Sequence, residues 1–117
     1  MQYALLYYTA GNPVDALSAS ERDAWYAEMK AWRAELQRAG VFRTGMRLSG
    51  VDTATSLRRE GSEVLVTDGP FAETKEILGG LTVIECSRLD EALAWARRCP
   101  IARVGTVEVR PEFAAPR

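Results

Sequence analysis

The sequence predicts an α+β fold, a ferredoxin-like antiparallel sheet with two helices on one face. Apolar residues change from an alternating to a helical spacing and back, in the order strand, helix, two or three strands, strand, helix, strand. The chain has 117 residues, which fits one domain with a single core. We expect that domain over residues 1–112 and a loose C-terminal tail over residues 113–117.

The first strand and the first helix have the clearest patterns. Residues 2–9 are rich in Tyr, Leu and Ala, end at a Gly-Asn-Pro turn and are apolar on both sides. Ser18 and Glu21 form a capping-box pattern, which predicts that a long helix starts there, and Gly40 stands where a left-handed C-terminal cap belongs. The core-facing side chains of this helix recur at steps of four, three and four: Trp25, Met29, Trp32 and Leu36.

The second half of the chain predicts a hairpin, two further strands and a shorter helix. Residues 53–59 and 63–67 have strand patterns and flank a Glu-Gly-Ser turn. Residues 81–86 and 105–110 also read as strands. The helix between them begins at Leu89 and stops before Pro100.

The far face of the predicted sheet is also apolar. If Leu5 and Val83 face the helices, Leu6 and Ile84 lie on the opposite face and would be in water in a monomer. Apolar patches of this kind usually mark an interface. We therefore expect a homodimer in which two such faces pack together into a dimeric α+β barrel.

Composition and charge exclude several classes of function. Lys plus Arg number 15 and Asp plus Glu 16, so the net charge of -1 offers no field for nucleic acid or an anionic membrane. No export signal, membrane span or disulfide framework is visible. We therefore expect a cytoplasmic protein without a membrane or direct nucleic-acid partner. The chain has no histidine, which excludes Ser-His-Asp and Cys-His triads and most zinc sites.

The stretch VTDGPFAETKEILGG, residues 66–80, is the least ordinary connection in the chain. Asp68 followed by Gly69 and Pro70 is a strong turn signal, because Asp bonds to its own downstream backbone and Pro restricts the glycine. We expect one or two helical turns after Phe71. The glycine pair 79–80 should end these turns before the chain re-enters a strand.

This stretch carries a resemblance to a known family. DGPFAETKE followed by GG is similar to the signature of the DGPF-domain branch of the YCII-related proteins, and the resemblance extends to residues 1–8, 53–58, 89–96 and 105–111. It implies a ferredoxin-like fold that dimerises as an α+β barrel. The broader superfamily includes presumed enzymes with a His-Asp pair in a pocket beside the dimer interface. A few relatives catalyse elimination or dehalogenation on ring compounds.

The resemblance implies a small-molecule pocket beside the DGPF loop, and it leaves open whether the protein is an enzyme. Asp68 matches the family aspartate and is the candidate general acid or base, since a partly desolvated carboxylate can be tuned for proton transfer. Arg47 or Lys75 would hold an anionic group, Phe71 would form an apolar wall, and Glu73 is a further ligand-binding candidate. The alternative is structural: Asp68 caps the turn, Phe71 packs in the core and the charged residues are solvated.

Two other classes of function stay open. The DGPF branch is often encoded near, or fused to, extracytoplasmic-function sigma factors, so a non-catalytic regulatory or interaction module with a sigma-factor-linked partner is the alternative to a pocket. A metal site could use only carboxylates without recognisable spacing: Asp68, Glu73, Glu76 and Glu85. We therefore predict no metal and no cofactor.

Aromatic residues and cysteines complete the candidates. Stacking on an aromatic ligand is conceivable for Trp25, Trp32, Tyr7 and Tyr8, but their helical and strand spacing favours core packing. Nothing near Cys86 or Cys99 in the sequence indicates a lowered thiol pKa, so we expect buried, inert thiols.

Overall fold

The computed structural model describes residues 1–114 and has the predicted order of elements. The strands and helices are β1 Gln2–Thr9, α1 Ala19–Arg38, β2 Phe42–Arg47, β3 Thr55–Glu60, β4 Glu63–Asp68, β5 Ile77–Glu85, α2 Leu89–Arg97 and β6 Thr106–Pro111. Short 3-10 turns occur at Val51–Thr53 and Pro100–Arg103. The last three residues of the predicted tail, 113–117, lie outside the described part of the chain.

The main sheet is antiparallel with the strand order β2-β5-β1-β6, and both helices cover one of its faces. This confirms the ferredoxin-like α+β prediction. The core lies between the helices and alternate residues of β1, where Tyr3, Leu5 and Tyr7 are buried. Neither helix of residues 1–114 is both long and apolar enough to cross a membrane.

The sheet register corrects one prediction from the sequence. Tyr3 pairs with Ile84, and Ala4 pairs with Val83, so Ile84 faces the helices and Val83 faces away from them. Ile84 is fully buried. The prediction that Leu5 and Val83 share a face was wrong, because the strands align one residue out of the assumed register and a one-residue shift exchanges the faces.

Helix α1 begins and ends as predicted. The Ser18 hydroxyl accepts from the Glu21 amide, and the Glu21 carboxylate accepts from the Ser18 amide, which satisfies two amide groups that a helix start leaves free. Gly40 has a φ of 74°, and the amide of Val41 donates to the Leu36 carbonyl at 3.1 Å, as a left-handed cap requires. The helix is therefore delimited by local chemistry at both ends.

The two helices are held to each other as well as to the sheet. The Trp32 indole N–H donates to the Trp95 carbonyl at 3.1 Å. Arg98 pairs with Glu35 on the outer side of the helices, and Arg103 Nη2 lies 2.7 Å from Glu28 Oε2. These contacts draw two α1 carboxylates away from the sheet.

Strands β3 and β4 form a separate two-stranded sheet, hereafter the β3-β4 hairpin. The predicted turn at Gly61, with a φ of 60°, joins the two strands. At the base of the hairpin the Gly69 amide donates to the Ala54 carbonyl at 2.7 Å, and the Ser56 hydroxyl donates to the Gly69 carbonyl at 2.8 Å. The hairpin has firm hydrogen bonds at its base but is not part of the main sheet.

The predicted helical turns after Phe71 are absent from the described structure. Residues 71–76 are irregular, and Gly79 and Gly80 lie inside β5. Tyr7 pairs with Gly80, whereas Tyr8 pairs with Leu78, so Gly79 is the extra residue of a β-bulge. Pairing with β1 and β2 holds the glycine pair in the sheet, whereas residues 71–76 form neither helix nor strand.

Gly80 and Gly79 differ sharply in the space around them, which yields a matched pair of substitutions. A Cβ at Gly80 would lie 2.9 Å from the Met46 carbonyl oxygen and 3.2 Å from Cδ2 of Tyr7, whereas a Cβ at Gly79 has nothing within 4 Å. We expect Gly80→Ala to lower the free energy of unfolding by about 1–3 kcal/mol through overpacking. Gly79→Ala should change it by less than about 0.5 kcal/mol. Urea unfolding of both variants measures the difference, and equal effects would contradict this account of the two glycines.

Candidate functional site

A cavity with a volume of about 310 Å³ lies between the first half of α1 and the main sheet. This size is at the lower end of the range for small-molecule sites. The cavity is open to solvent on one side. It is lined by residues of β1, α1, β2 and β5 and their flanking turns: Tyr7, Thr9, Pro13, Trp25, Tyr26, Met29, Lys30, Trp32, Arg33, Gly45, Met46, Arg47, Gly79, Gly80, Leu81, Thr82 and Ile101.

Glycines in the sheet explain why the cavity exists. Gly45 of β2 pairs with Thr82, and Gly80 of β5 pairs with Arg47, so neighbouring positions of the sheet lack a side chain beneath the helix. Close neighbours disfavour a larger residue at either position. A Cβ at Gly45, for example, would lie 3.2 Å from the Thr82 hydroxyl oxygen. The space that larger residues would fill in a packed core is therefore left empty.

The wall opposite the glycines is aromatic and comes from α1. Trp32 is buried and meets Tyr7 edge to face, with ring centroids 6.4 Å apart. Met29 and Trp25, one and two turns earlier, are only partly buried and line the cavity. The predicted apolar stripe of α1 thus has two roles, because its second half packs in the core and its first half faces the cavity.

Three cationic side chains line the cavity: Lys30, Arg33 and Arg47. None of them forms an ion pair with any residue of 1–114, and the lining contains no carboxylate from that part of the chain. Two glutamates of α1, Glu28 and Glu35, pair with Arg103 and Arg98, which do not line the cavity. The cavity is therefore positively charged.

The arginines of the cavity are held in place by neutral and aromatic groups. Arg47 donates from Nη1 to the Tyr26 hydroxyl at 3.0 Å and from Nη2 to Asn12 Oδ1 at 2.8 Å. The guanidinium of Arg33 lies 4.5 Å from the centroid of the Phe42 ring. These contacts orient the guanidinium groups without cancelling their charge.

A small polar cluster lies at the inner end of the cavity. The Tyr7 hydroxyl is hydrogen-bonded to the Thr82 hydroxyl, and the Cys99 thiol is adjacent to it. Burial raises the pKa of Tyr7 well above its usual value, and burial raises the pKa of Cys99 to about 11. Both groups are therefore neutral near pH 7, and Tyr7 offers the cavity a hydrogen-bonding hydroxyl and no base.

The structure places the predicted site residues in two different regions. Arg47 lines the cavity, whereas Asp68, Phe71, Glu73 and Lys75 are exposed and do not line it within the protomer. Phe71 is 85% exposed, so it does not pack in the core of the protomer. Residues 1–114 contain no group of three or more His, Cys, Asp or Glu side chains placed to hold a metal ion. The roles predicted for Asp68, Phe71, Glu73 and Lys75 stay predictions.

Of the aromatic residues weighed for ligand stacking, Trp25, Trp32 and Tyr7 line the cavity, although the sequence favoured core packing for them. The cations Lys30 and Arg33 were missed, although one signal for them was present. Tyr26, Lys30 and Arg33 recur at steps of four and three, one position after the apolar stripe of Trp25, Met29 and Trp32. Such a spacing places an aromatic and cationic stripe beside the apolar one on the same helix. The glycines opposite them come from distant strands, and no local pattern links them to α1.

Comparison with known proteins gives a family and a shared fold. A sequence model of the YCII-related domain matches residues 1–113. An uncharacterised protein of Rhizobium meliloti (strain 1021) is 39% identical over 113 residues, which cover 95% of this chain and 91% of that protein. The solved structure of TftG from Burkholderia phenoliruptrix AC1100, a 5-chloro-2-hydroxyhydroquinone dehydrochlorinase in complex with 2,5-dihydroxybenzoquinone, is similar with a TM-score of 0.51. Its sequence identity is 16%, with 98% of this chain and 96% of that chain covered, and it shows the fold alone.

The raised thiol pKa values predict slow cysteine chemistry in the folded protein. With a pKa of about 11, Cys99 has a thiolate population at pH 8 about a hundredfold smaller than a thiol with the ordinary value of 9.0. We expect Cys99, isolated in a Cys86→Ser background, to react with a disulfide reagent at least about a hundredfold more slowly in native protein than in guanidinium. The native rate should rise with pH up to about 11. A fast native reaction at pH 8 would contradict the buried, neutral thiol.

Proposed function

Because the chain belongs to the YCII-related domain family, we propose that it binds a small, planar, anionic molecule in the cavity beneath α1. One observation carries the proposal: three cations without ion-pair partners in residues 1–114 line a cavity that has aromatic walls and no carboxylate from that part of the chain. Cations left unpaired at a concave site attract anions, and the walls exclude water from a bound ring.

The shape of the cavity favours a flat ligand. Trp25 and Met29 face the sheet across the glycines Gly45 and Gly80, which leaves a layer between an aromatic wall and bare backbone. A ring lying in this layer can stack on the aromatic wall and approach the backbone closely. The bound molecule in the TftG structure, 2,5-dihydroxybenzoquinone, is such a ring with hydroxyl and carbonyl oxygens, which supports the same ligand class here.

Arg47 is the residue that would hold the anionic group. Its two hydrogen-bond partners, Tyr26 and Asn12, are neutral acceptors, so the guanidinium keeps its charge while its direction is set. An orientated guanidinium binds a carboxylate or a phenolate oxygen more strongly than a neutral donor does. At the other end, the neutral hydroxyl of Tyr7 would donate to or accept from a polar group of the ring.

Acid–base catalysis by Asp68 is a second, separate part of this proposal. Asp68 ends β4 and does not line the cavity of its own protomer, so any proton transfer would require a bound ring at the cavity mouth or a second copy of the chain. Binding and catalysis are therefore separate claims. The cavity supports the binding claim directly. The catalytic claim is supported only by the resemblance of the DGPF turn to the family signature.

A homodimer is the proposed assembly. The sheet face away from the helices carries Leu6, Leu81 and Val83 at adjacent positions of β1 and β5. On the neighbouring strand β6, Glu108 and Arg110 lie on the same face, and their opposite charges can pair across a two-fold axis. A partly exposed apolar centre with self-complementary charges at its side suits a second copy of the same face.

The binding proposal predicts a specific dependence on Arg47. In a thermal-shift and calorimetric screen of hydroxybenzoates and hydroxyquinones, we expect ligands whose affinity falls about tenfold or more in Arg47→Ala, since a hydrogen bond to a charged group is worth about 1.5–3 kcal/mol. Arg43→Ala is the matched control, because Arg43 lies on the same strand and bonds only to nearby carbonyls.

The same screen separates binding from catalysis. Asp68→Asn should leave the affinity of the ligands unchanged and abolish turnover of any substrate among them. Ligands that bind equally well to wild type and Arg47→Ala would contradict the anion site, and turnover that survives Asp68→Asn would contradict the catalytic role.

The dimer proposal predicts the mass of the protein in solution. Sedimentation at low micromolar concentration should give twice the chain mass of 12.9 kDa. Leu6→Glu should dissociate the dimer, because it buries a charge in the apolar centre, whereas Ala27→Glu on the exposed side of α1 should not. A wild-type protein that stays monomeric would contradict the assembly and leave the ligand proposal intact.

A further inference from the structure

The β3-β4 hairpin has one apolar face that its own protomer does not cover. Leu57 pairs with Val66, and Arg59 pairs with Val64, so Leu57, Val64 and Val66 share one face by the two-residue period of a strand. These three side chains are 66%, 55% and 64% exposed. Arg59 lies on this face too, near the turn. The opposite face has one apolar residue, Leu65, which is 41% exposed, and is otherwise polar or charged: Ser56, Arg58, Glu60, Glu63 and Thr67. The hairpin is therefore amphipathic, and residues 1–114 leave most of its apolar side uncovered.

The isolation of the hairpin is also visible in the dimensions of the protomer. The radius of gyration is 16.5 Å, whereas a compact domain of this length has about 13 Å. The molecule extends over 50 × 48 × 19 Å, which describes a flat shape. A two-stranded hairpin without apolar cover is only marginally stable in water. A surface from outside the protomer that covers the apolar face would therefore stabilise the hairpin.

We propose that the hairpin is an arm that packs its apolar face, Leu57, Val64 and Val66, on a second copy of the chain. The inference rests on the proposed homodimer and assigns it a second contact region. Its main support is continuity: the hairpin departs from the end of β2 and returns to the start of β5, the strands that carry Met46 and Leu81 on the open sheet face. Residues 48–54 and 69–76 join the hairpin to these strands, so that a copy seated on that face comes within reach of the hairpin.

The arm brings Asp68 to the boundary between the two copies. Asp68 is two residues after Val66 on β4, so its side chain lies on the same face as Leu57, Val64 and Val66. A surface that covers this face therefore also meets Asp68. This position accounts for a carboxylate that is exposed in the protomer, away from its own cavity, and makes Asp68 a residue of the interface between copies.

Adjacent residues of β4 provide the test. Val66 and Thr67 are both exposed and lie on opposite faces of the hairpin. We expect Val66→Lys to raise the dissociation constant of the dimer about tenfold or more, and Thr67→Lys to change it less than about threefold. Sedimentation over a concentration series measures both. Leu57→Lys, on the neighbouring strand, should reproduce the effect of Val66→Lys, and circular dichroism should show each variant folded.

Hydrogen exchange gives an independent readout of the arm. Amides of β3 and β4 should be protected in the dimer and should lose most of their protection in the Leu6→Glu monomer, while β1 and β5 stay protected. Two results would overturn the arm without overturning the dimer. One is equal dimer affinity in Val66→Lys, Leu57→Lys and Thr67→Lys, and the other is hairpin protection that does not change on dissociation. A monomeric wild-type protein would overturn both.

Discussion

The close approach of three strands at Gly80 is the constraint on which the rest of the structure depends. The Met46 carbonyl of β2 on one side and the Tyr7 ring of β1 on the other leave no room for a side chain there. This contact aligns the central strands, positions Tyr7 beneath Trp32 and empties the space under the first half of α1. The same glycine therefore serves the core, the register and the cavity. The bulge at Gly79 allows β5 to satisfy both neighbouring strands despite this crowding.

The element order was predictable from the sequence because it is encoded locally. The capping box at Ser18, the glycine at position 40 and the alternating pattern of β1 each act within a few residues, and each is present in the structure. The register between β1 and β5 was not predictable, because Leu5 and Val83 are both apolar and either register buries apolar groups. The helical turns expected after Phe71 are absent: residues 71–76 are irregular, and only the residues from Ile77 onward pair in the sheet.

The sequence predicted that the candidate site would bind an anion, but it predicted the location of the site only in part. Arg47 was expected to hold an anion and lies in the cavity, but its companions Lys30 and Arg33 come from a helix whose sequence reads first as a core element. The role proposed for them depends on two absences within residues 1–114: no side chain at Gly80 and no carboxylate in the cavity lining. Absences of this kind produce no recognisable motif in the sequence. The sigma-factor-linked role stays a prediction, as do the ligand roles of Glu73, Phe71 and Lys75.

The exposed hairpin carries a risk of aggregation, and charged residues in its sequence reduce that risk. A two-stranded sheet with free backbone groups on both edges and an apolar face can add strands from other molecules and aggregate. Arg58, Arg59, Glu60 and Glu63 surround its turn, so that charges of both signs stand beside the apolar residues. Charged residues flanking an apolar strand discourage indiscriminate strand addition. For the proposed homodimer, this means that a newly made chain can expose the apolar face of the hairpin before it meets a second copy without adding strands from unrelated molecules indiscriminately.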